Sequence, residues 1–283
     1  MRAGCLDALG VILIWSGFIL VSRMGGRSPL LAYDVTALRF GVAALLLFPF
    51  WIMRNQVRIL QPRMLVLGFS GGIGYALLAY LGFKYAPATH AAILLPGMLP
   101  FEITLFSWLL QHERPSRWRV AGLTAIAAGV ACLAADTFTG KMAAAWKGDL
   151  AFIGASTLWA LYTVLARKWR VDVWDATIGV VMISALLYVP VYLFALPKQL
   201  HASSWEIIAI QGFYQGVLAV IVAMALYMRA VRALGATQVG LCMALVPVIS
   251  GFAAVPLLGE SLTAAVLLGL ALTSFGTWVG SRG

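Results

Sequence analysis

The sequence predicts an all-α integral membrane protein of ten transmembrane helices, built from two inverted five-helix repeats. Three observations carry this. Of the 283 residues, 62% are hydrophobic and 11% charged, with mean hydropathy +0.94; a soluble domain has roughly 45–50% apolar and about 25% charged residues. The charges fall in short clusters between apolar runs of about 17–25 residues, the length that crosses ~30 Å of hydrocarbon as a helix. These runs are continuous, so they are helices and not the alternating strands of a barrel. Finally, segments of the first half recur in the second.

The spans are expected at 4–22, 30–53, 64–83, 87–110, 118–135, 149–166, 174–196, 205–228, 236–258 and 262–280. The first follows Arg2 and resembles a signal peptide. However, LGVILIWSGFILVSR at 9–23 is copied in FIGASTLWALYTVLAR at 152–167, which marks it as a retained structural segment. Gly10 meets Gly154, Trp15 meets Trp159 and Arg23 meets Arg167. Later, Ala88 and Thr89 of ATHAAILLPGMLP meet Ala236 and Thr237 of ATQVGLCMALVPV. After one deletion Pro100 meets Pro247, Glu113 meets Glu260, Gly122 meets Gly269 and Gly129 meets Gly276. The repeats are assigned to 1–140 and 141–283. Five spans is an odd number, so the second copy enters the bilayer from the opposite side, an arrangement transporters use to build two related gates around a midplane site.

Orientation follows from Lys and Arg. One side carries Arg2, Arg54, Arg58, Arg63, Arg114, Arg117, Arg119, Arg167, Lys168, Arg170, Arg229, Arg232 and Arg282; the other carries Arg23, Arg27, Lys84, Lys141, Lys147 and Lys198. The positive-inside bias puts both termini in the cytoplasm of a bacterial inner membrane. The same scatter explains the net charge of +10 without a nucleic-acid partner. Cys5, Cys132 and Cys242 stand alone, so neither a disulfide framework nor a zinc site is expected. Connections are short, leaving no room for a nucleotide-binding domain. Transport would draw on gradients.

Trp15 and Trp159, Arg39 within ALRFGVAALLL, the duplicated A-T…P…E…G patterns at 88–129 and 236–276, and LGES ending at Ser261 together resemble the drug/metabolite transporter superfamily, specifically its EamA-type ten-span permeases. The resemblance covers nearly the whole chain and departs from the pattern at WSGF. It implies a basket of spans 1–4 and 6–9 around a central cavity, braced outside by spans 5 and 10. It also implies export of amino acids, metabolites or lipophilic compounds. Within the family the chain is similar to the YddG-like exporters of aromatic and other apolar amino acids.

Several residues are candidates for the chemistry. Pro96, Pro100 and Pro247 interrupt spans 4 and 9, with Gly97 and Gly251 nearby. Proline removes a helical hydrogen bond and frees carbonyls at membrane depth, so these are read as hinges; a static kink is the plainer reading. Arg39 and Glu102 are charges inside spans, expected to face inward and find partners. They form either a structural ion pair, with Asp34 as a competing partner for Arg39, or a functional set in which Arg39 holds a substrate carboxylate or Glu102 a coupling proton. Trp15, Tyr75, Tyr80, Trp159, Tyr162, Gln211 and Tyr214 suit a pocket for an apolar or aromatic amino acid. Gln215 lies one turn from Gln211. At helical spacing His90, Leu94, Gly97, Phe101, Thr104 and Trp108 share a stripe that lines the cavity, with Gln238 the counterpart of His90. A hydrogen-bonded interface histidine is the alternative. Gly68 and Gly72, followed by Gly74, mark close helix packing.

The competing functions are a lipid or drug flippase and a membrane enzyme. No HExxH, paired catalytic aspartates or metal-ligand cluster is present in the sequence, and no cofactor is expected. Asp172 and Asp175 read as a solvated loop. The expected partners are a small-molecule substrate and the lipid bilayer; a monomer suffices.

Overall fold

A computed structural model describes residues 2–54, 57–139, 144–280 and 282. The expected division at 140 and 141, Lys141, and the side chains of Arg54, Ala236 and Thr237 lie outside the described residues. Among the described residues ten helical spans follow one another: α1 Arg2–Arg27, α2 Ala32–Arg54, α3 Pro62–Tyr85, α4 Ala88–Gln111, α5 Arg117–Thr139, α6 Ala145–Lys168, α7 Val173–Phe194, α8 Trp205–Leu234, α9 236–258 and the shorter α10 Ala264–Gly280. The expected boundaries agree within a few residues, except that α1 and α8 run further at their C-terminal ends.

The interior spans are irregular where the sequence carries glycine or proline. In α3, Phe69–Ile73 forms a π turn over the Ser70-Gly71-Gly72 stretch; in α8, Tyr214–Val222 does the same. In α4, Ile93–Gly97 is a π turn containing Pro96, and the helix restarts at Leu99 with Pro100 in its first turn. Span α9 breaks at Ala244 and restarts at Leu245, with Pro247 in its opening turn. Each missing N–H leaves one carbonyl without its helical donor. Inside a bilayer such irregularity is tolerated where protein or a cavity re-satisfies the backbone.

Glycine lets helices approach. A side chain on Gly68 or Gly72 would collide with Ile183 or with Ser184 of α7, as close packing predicts. Spans α5 and α10 lie backbone to backbone: Gly122 faces the Gly276 carbonyl, and Gly129 faces Gly269. That crossing is the most extensive helix pair. Other major contacts are α1 with α3, α8 and α9, α6 with α3 and α4, α2 with α7 and α8, α3 with α7, and α4 with α9. Many large apolar side chains, Leu45, Phe194 and Trp205 among them, are exposed on the outside, as contact with lipid favours.

Two matching turns end α4 and α9. His112 (φ 58°) and Gly259 (φ 62°) adopt the left-handed conformation, and the next residues, Glu113 and Glu260, donate their N–H groups back to Ser107 and Ala254 carbonyls. This is a helix C-cap. It positions one glutamate at the end of each span.

Candidate functional site

Arg39 is buried inside the bundle. One guanidinium nitrogen donates to Tyr80 Oη at 3.3 Å, and the group lies 5.7 Å from the Phe18 ring centroid. Tyr80 donates to Gln215 Oε1 at 3.0 Å. Gln215 Nε2 donates to Ser22 Oγ at 3.0 Å and Gln211 Oε1 at 3.2 Å, and Gln211 Nε2 donates to the Val21 carbonyl at 2.6 Å. This chain ties α1, α2, α3 and α8 together. Among the described residues no carboxylate lies within ion-pair distance of Arg39. Tyr75, within electrostatic reach of Arg39, packs on Trp159 at 4.9 Å between centroids, and Trp159 packs on Tyr162 at 5.1 Å. All three are surrounded by protein yet keep accessible surface.

Glu102 is also buried. Its carboxyl oxygens meet Thr157 Oγ1 at 2.6 Å and Ser156 Oγ, both on α6. The expected Arg39–Glu102 ion pair does not form, and Asp34 does not replace it. Asp34 instead accepts from the Leu31 N–H (2.7 Å), Tyr192 Oη (2.7 Å) and the Gln199 N–H. The reason is rotational: Glu102 projects toward α6, whereas Arg39 projects toward α1 and α3.

The face opposite the termini, called here the far face, is closed by a charged cluster. Glu260 Oε1 accepts from Arg23 Nε (3.2 Å), Arg27 (3.2 Å) and the Ala88 N–H (3.0 Å); Oε2 accepts from the Thr89 N–H (3.1 Å). A carboxylate on the first amides of α4 is favoured by the unsatisfied N–H groups and the helix dipole. Arg23 also donates to the Phe83 carbonyl at 2.6 Å, and Arg27 to the Leu258 carbonyl. Beside this cluster His90 Nδ1 lies 2.9 Å from Asp149, and Nε2 lies 3.4 Å from Asp136. Thr137 and Thr263 donate to those aspartates at 2.6 and 2.5 Å. On the terminal face Arg167 donates to Glu113 (2.7 Å), Ser107 (3.1 Å) and Gln111 (3.2 Å). Both members of this pair are about half exposed.

The expected sites therefore divide. Arg39, Tyr75, Tyr80, Trp159, Tyr162 and Gln211 lie along the interior. Trp15 is half-buried and packs at a tilt against Tyr227, 5.6 Å between centroids. Tyr214 donates to the Ile14 carbonyl at 3.0 Å, and Phe101 is half-buried. Gln238 is exposed, contrary to expectation. The stripe from His90 does not hold as one face: His90 and Leu94 are enclosed while Trp108 is 52% exposed. A π turn inserts an extra residue into the helical repeat, which shifts everything beyond Gly97. Asp172 is more than a solvated loop residue, because it caps α7 by accepting from Trp174 and Asp175 N–H groups. Sequence reasoning missed Ser156, Thr157, Asp136 and Asp149 as partners. The recurrence of Arg23 at Arg167 and Glu113 at Glu260 was the available signal for the end clusters. Among the described residues no group of three or more His, Cys, Asp or Glu is arranged to hold a metal. One concavity, lined by Ser22, Gly26, Leu30, Tyr80 and Lys84, lies under the far face, and another lies against Trp51 and Pro62 on the terminal face. Neither reaches Trp159.

A bundle of long apolar helices, irregular at depth and carrying charges inside, defines an integral membrane protein. The chain belongs to the EamA-like transporter family, which matches residues 2–135 and again 146–282. It is similar to the Bacillus subtilis (strain 168) protein named Uncharacterized transporter YyaM, with 27% identity over 228 residues, covering 76% of this chain and 73% of that one. A protein of known crystal structure aligns over 99% of this chain and 96% of its own, with a TM-score of 0.63 and 26% identity. The family identifies a transporter, not an enzyme.

Proposed function

We propose that this protein exports amino acids, most favourably aromatic and other apolar ones, by alternating access between two inverted repeats in a bacterial inner membrane, with both termini cytoplasmic. The observation that carries the substrate reading is Arg39. A buried guanidinium is costly unless paired, and among the described residues this one has the Tyr80 phenol as its hydrogen-bond partner and no carboxylate in reach. A substrate carboxylate is its natural complement. The nearby Tyr75–Trp159–Tyr162 wall supplies aromatic contact surface for an apolar side chain. A YddG-like activity fits this set.

Alternating access is supported by the way contacts recur when the halves are exchanged. The α1–α8 contact corresponds to α6–α3, α1–α9 to α6–α4, and α2–α8 to α7–α3. The breaks in α4 and α9 correspond as well, and serve as hinges at Pro96, Pro100 and Pro247. The end clusters differ in their state. Arg23 and Glu260 are enclosed and clamp α4, while Arg167 and Glu113 stand open to solvent. In the opposite state Glu113 caps the first amides of α9 and Glu260 releases those of α4.

The test is uptake into proteoliposomes of a labelled panel: phenylalanine, tryptophan, leucine, a dipeptide and a lipophilic cation. Saturable phenylalanine or leucine counterflow supports the reading. Transport of the lipophilic cation without any amino acid overturns it in favour of a drug exporter.

A further inference from the structure

Glu102 poses a problem of hydrogen counting. Thr157 Oγ1 donates to the Ile153 carbonyl at 2.8 Å while also lying 2.6 Å from Glu102 Oε1. Ser156 Oγ donates to the Leu95 carbonyl at 3.3 Å while also meeting Glu102 Oε2. A hydroxyl has one hydrogen, and an ionised carboxylate has none. Two hydrogens then serve four oxygen–oxygen contacts, so an ionised Glu102 leaves two of them without any. A proton on the carboxyl supplies a third hydrogen and lets Glu102 donate to one hydroxyl while that hydroxyl donates to a carbonyl.

The charge count agrees. Arg117 and Arg119 of α5 and Lys147, Arg167 and Lys168 of α6 are the cations on the helices packed against this half of α4; none lies within ion-pair distance of Glu102. Arg167 is held by Glu113, Ser107 and Gln111, and the acids Asp136 and Asp149 are at the far end with His90. An isolated carboxylate in such a place protonates rather than remain charged. The placement also has a structural consequence. Pro100, in the first turn after the Ile93–Gly97 turn, has no N–H to offer the backbone. Ser156 Oγ donates to the Leu95 carbonyl in that turn, so the carboxyl, the hydroxyl and the helix break share one hydrogen-bond set. Ile249 stands at the corresponding place in the second half, so this site is single.

We propose that Glu102 is a proton-binding site that couples substrate movement to the proton gradient: one proton binds the carboxylate in the conformation seen here and passes to water when α4 bends about Pro100, parts the carboxyl from the Ser156 and Thr157 hydroxyls and opens it to solvent. This rests on the transporter reading above, and the test separates the two. The first arm needs no substrate. Infrared titration of the purified protein is expected to give a protonated-carboxyl band that disappears on raising pH, is absent in Glu102→Gln and is displaced in Ser156→Ala. The second arm measures phenylalanine counterflow with and without an imposed pH gradient. The wild type is expected to be several-fold faster with the gradient, and Glu102→Gln to show a ratio of one. A wild-type infrared titration that Glu102→Gln leaves unaltered overturns the proposal, as does a variant that keeps the gradient ratio of the wild type. If phenylalanine is not carried at all, the amino-acid reading fails and the infrared arm alone decides the proton site.

Discussion

Arg23 and Glu260, 237 residues apart in sequence, form a buried ion pair at 3.2 Å whose carboxylate also caps α4. Its counterpart, Arg167 with Glu113, is closer at 2.7 Å but solvated. Removing one partner of a buried pair costs roughly 3–5 kcal/mol, because the other charge is left unpaired. An exposed pair contributes about 0–1 kcal/mol. Glu260→Gln is therefore expected to lower the thermal unfolding midpoint in detergent by several degrees, and Glu113→Gln to leave it nearly unchanged. Equal shifts would contradict the assignment of one latch as closed and the other as open.

Arg39→Gln is expected to weaken substrates that carry a carboxylate and to spare neutral analogues. A hydrogen bond to a charged group contributes about 1.5–3 kcal/mol, or roughly 10- to 150-fold in affinity. Comparing the KM of phenylalanine with that of its amide in proteoliposomes checks this. Equal weakening of both assigns Arg39 a structural role through Tyr80 and Gln215.

His90→Gln tests the far-face histidine. With both ring nitrogens facing aspartates, His90 binds α4 to α5 and α6. The variant is expected to be less stable by about 1–3 kcal/mol with an unchanged KM. A raised KM at normal stability would restore His90 to the substrate path.

Pro100→Ala and Pro247→Ala restore N–H donors next to the breaks in α4 and α9. Both are expected to fold and to transport more slowly, since a continuous helix resists bending. Normal turnover in both, with intact folding by gel filtration, removes the hinge role.

The α5–α10 crossing predicts paired sensitivity. A side chain at Gly122 meets the Gly276 backbone, and one at Gly269 meets Gly129. Gly122 with Gly269, and Gly129 with Gly276, are matched positions in the sequence. Gly122→Val and Gly269→Val are each expected to cost about 1–3 kcal/mol by overpacking, measured as thermal unfolding in detergent.

Much of this protein was legible in one dimension, because the bilayer imposes strong local rules. A span needs some twenty apolar residues, so the ten helices stand out within a few positions of their observed ends. Proline removes a helical hydrogen bond, and Pro96, Pro100 and Pro247 lie at the breaks of α4 and α9, whereas Pro49 and Pro190 sit inside unbroken helices. Charges at Arg39 and Glu102 had to be internal. Ser156 and Thr157 could not be read as partners, because a hydroxyl in a helix commonly bonds its own backbone and gives no sign of a second contact.

The sequence by itself determined the membrane-spanning class, the number and order of helices, the places where α4 and α9 break and the matched Arg and Glu residues at their ends. Only the tertiary structure decided which charge meets which partner. It placed Arg39 on Tyr80 and Glu102 on α6, enclosed His90 between two aspartates and turned Gln238 outward. The physical reason is rotation. A side chain's partner depends on the angle at which its helix presents it, and each π turn in α3, α4 or α8 shifts that angle by about one residue. Composition and spacing carry no record of that shift, whereas the packed interior fixes it through glycine contacts and hydrogen bonds.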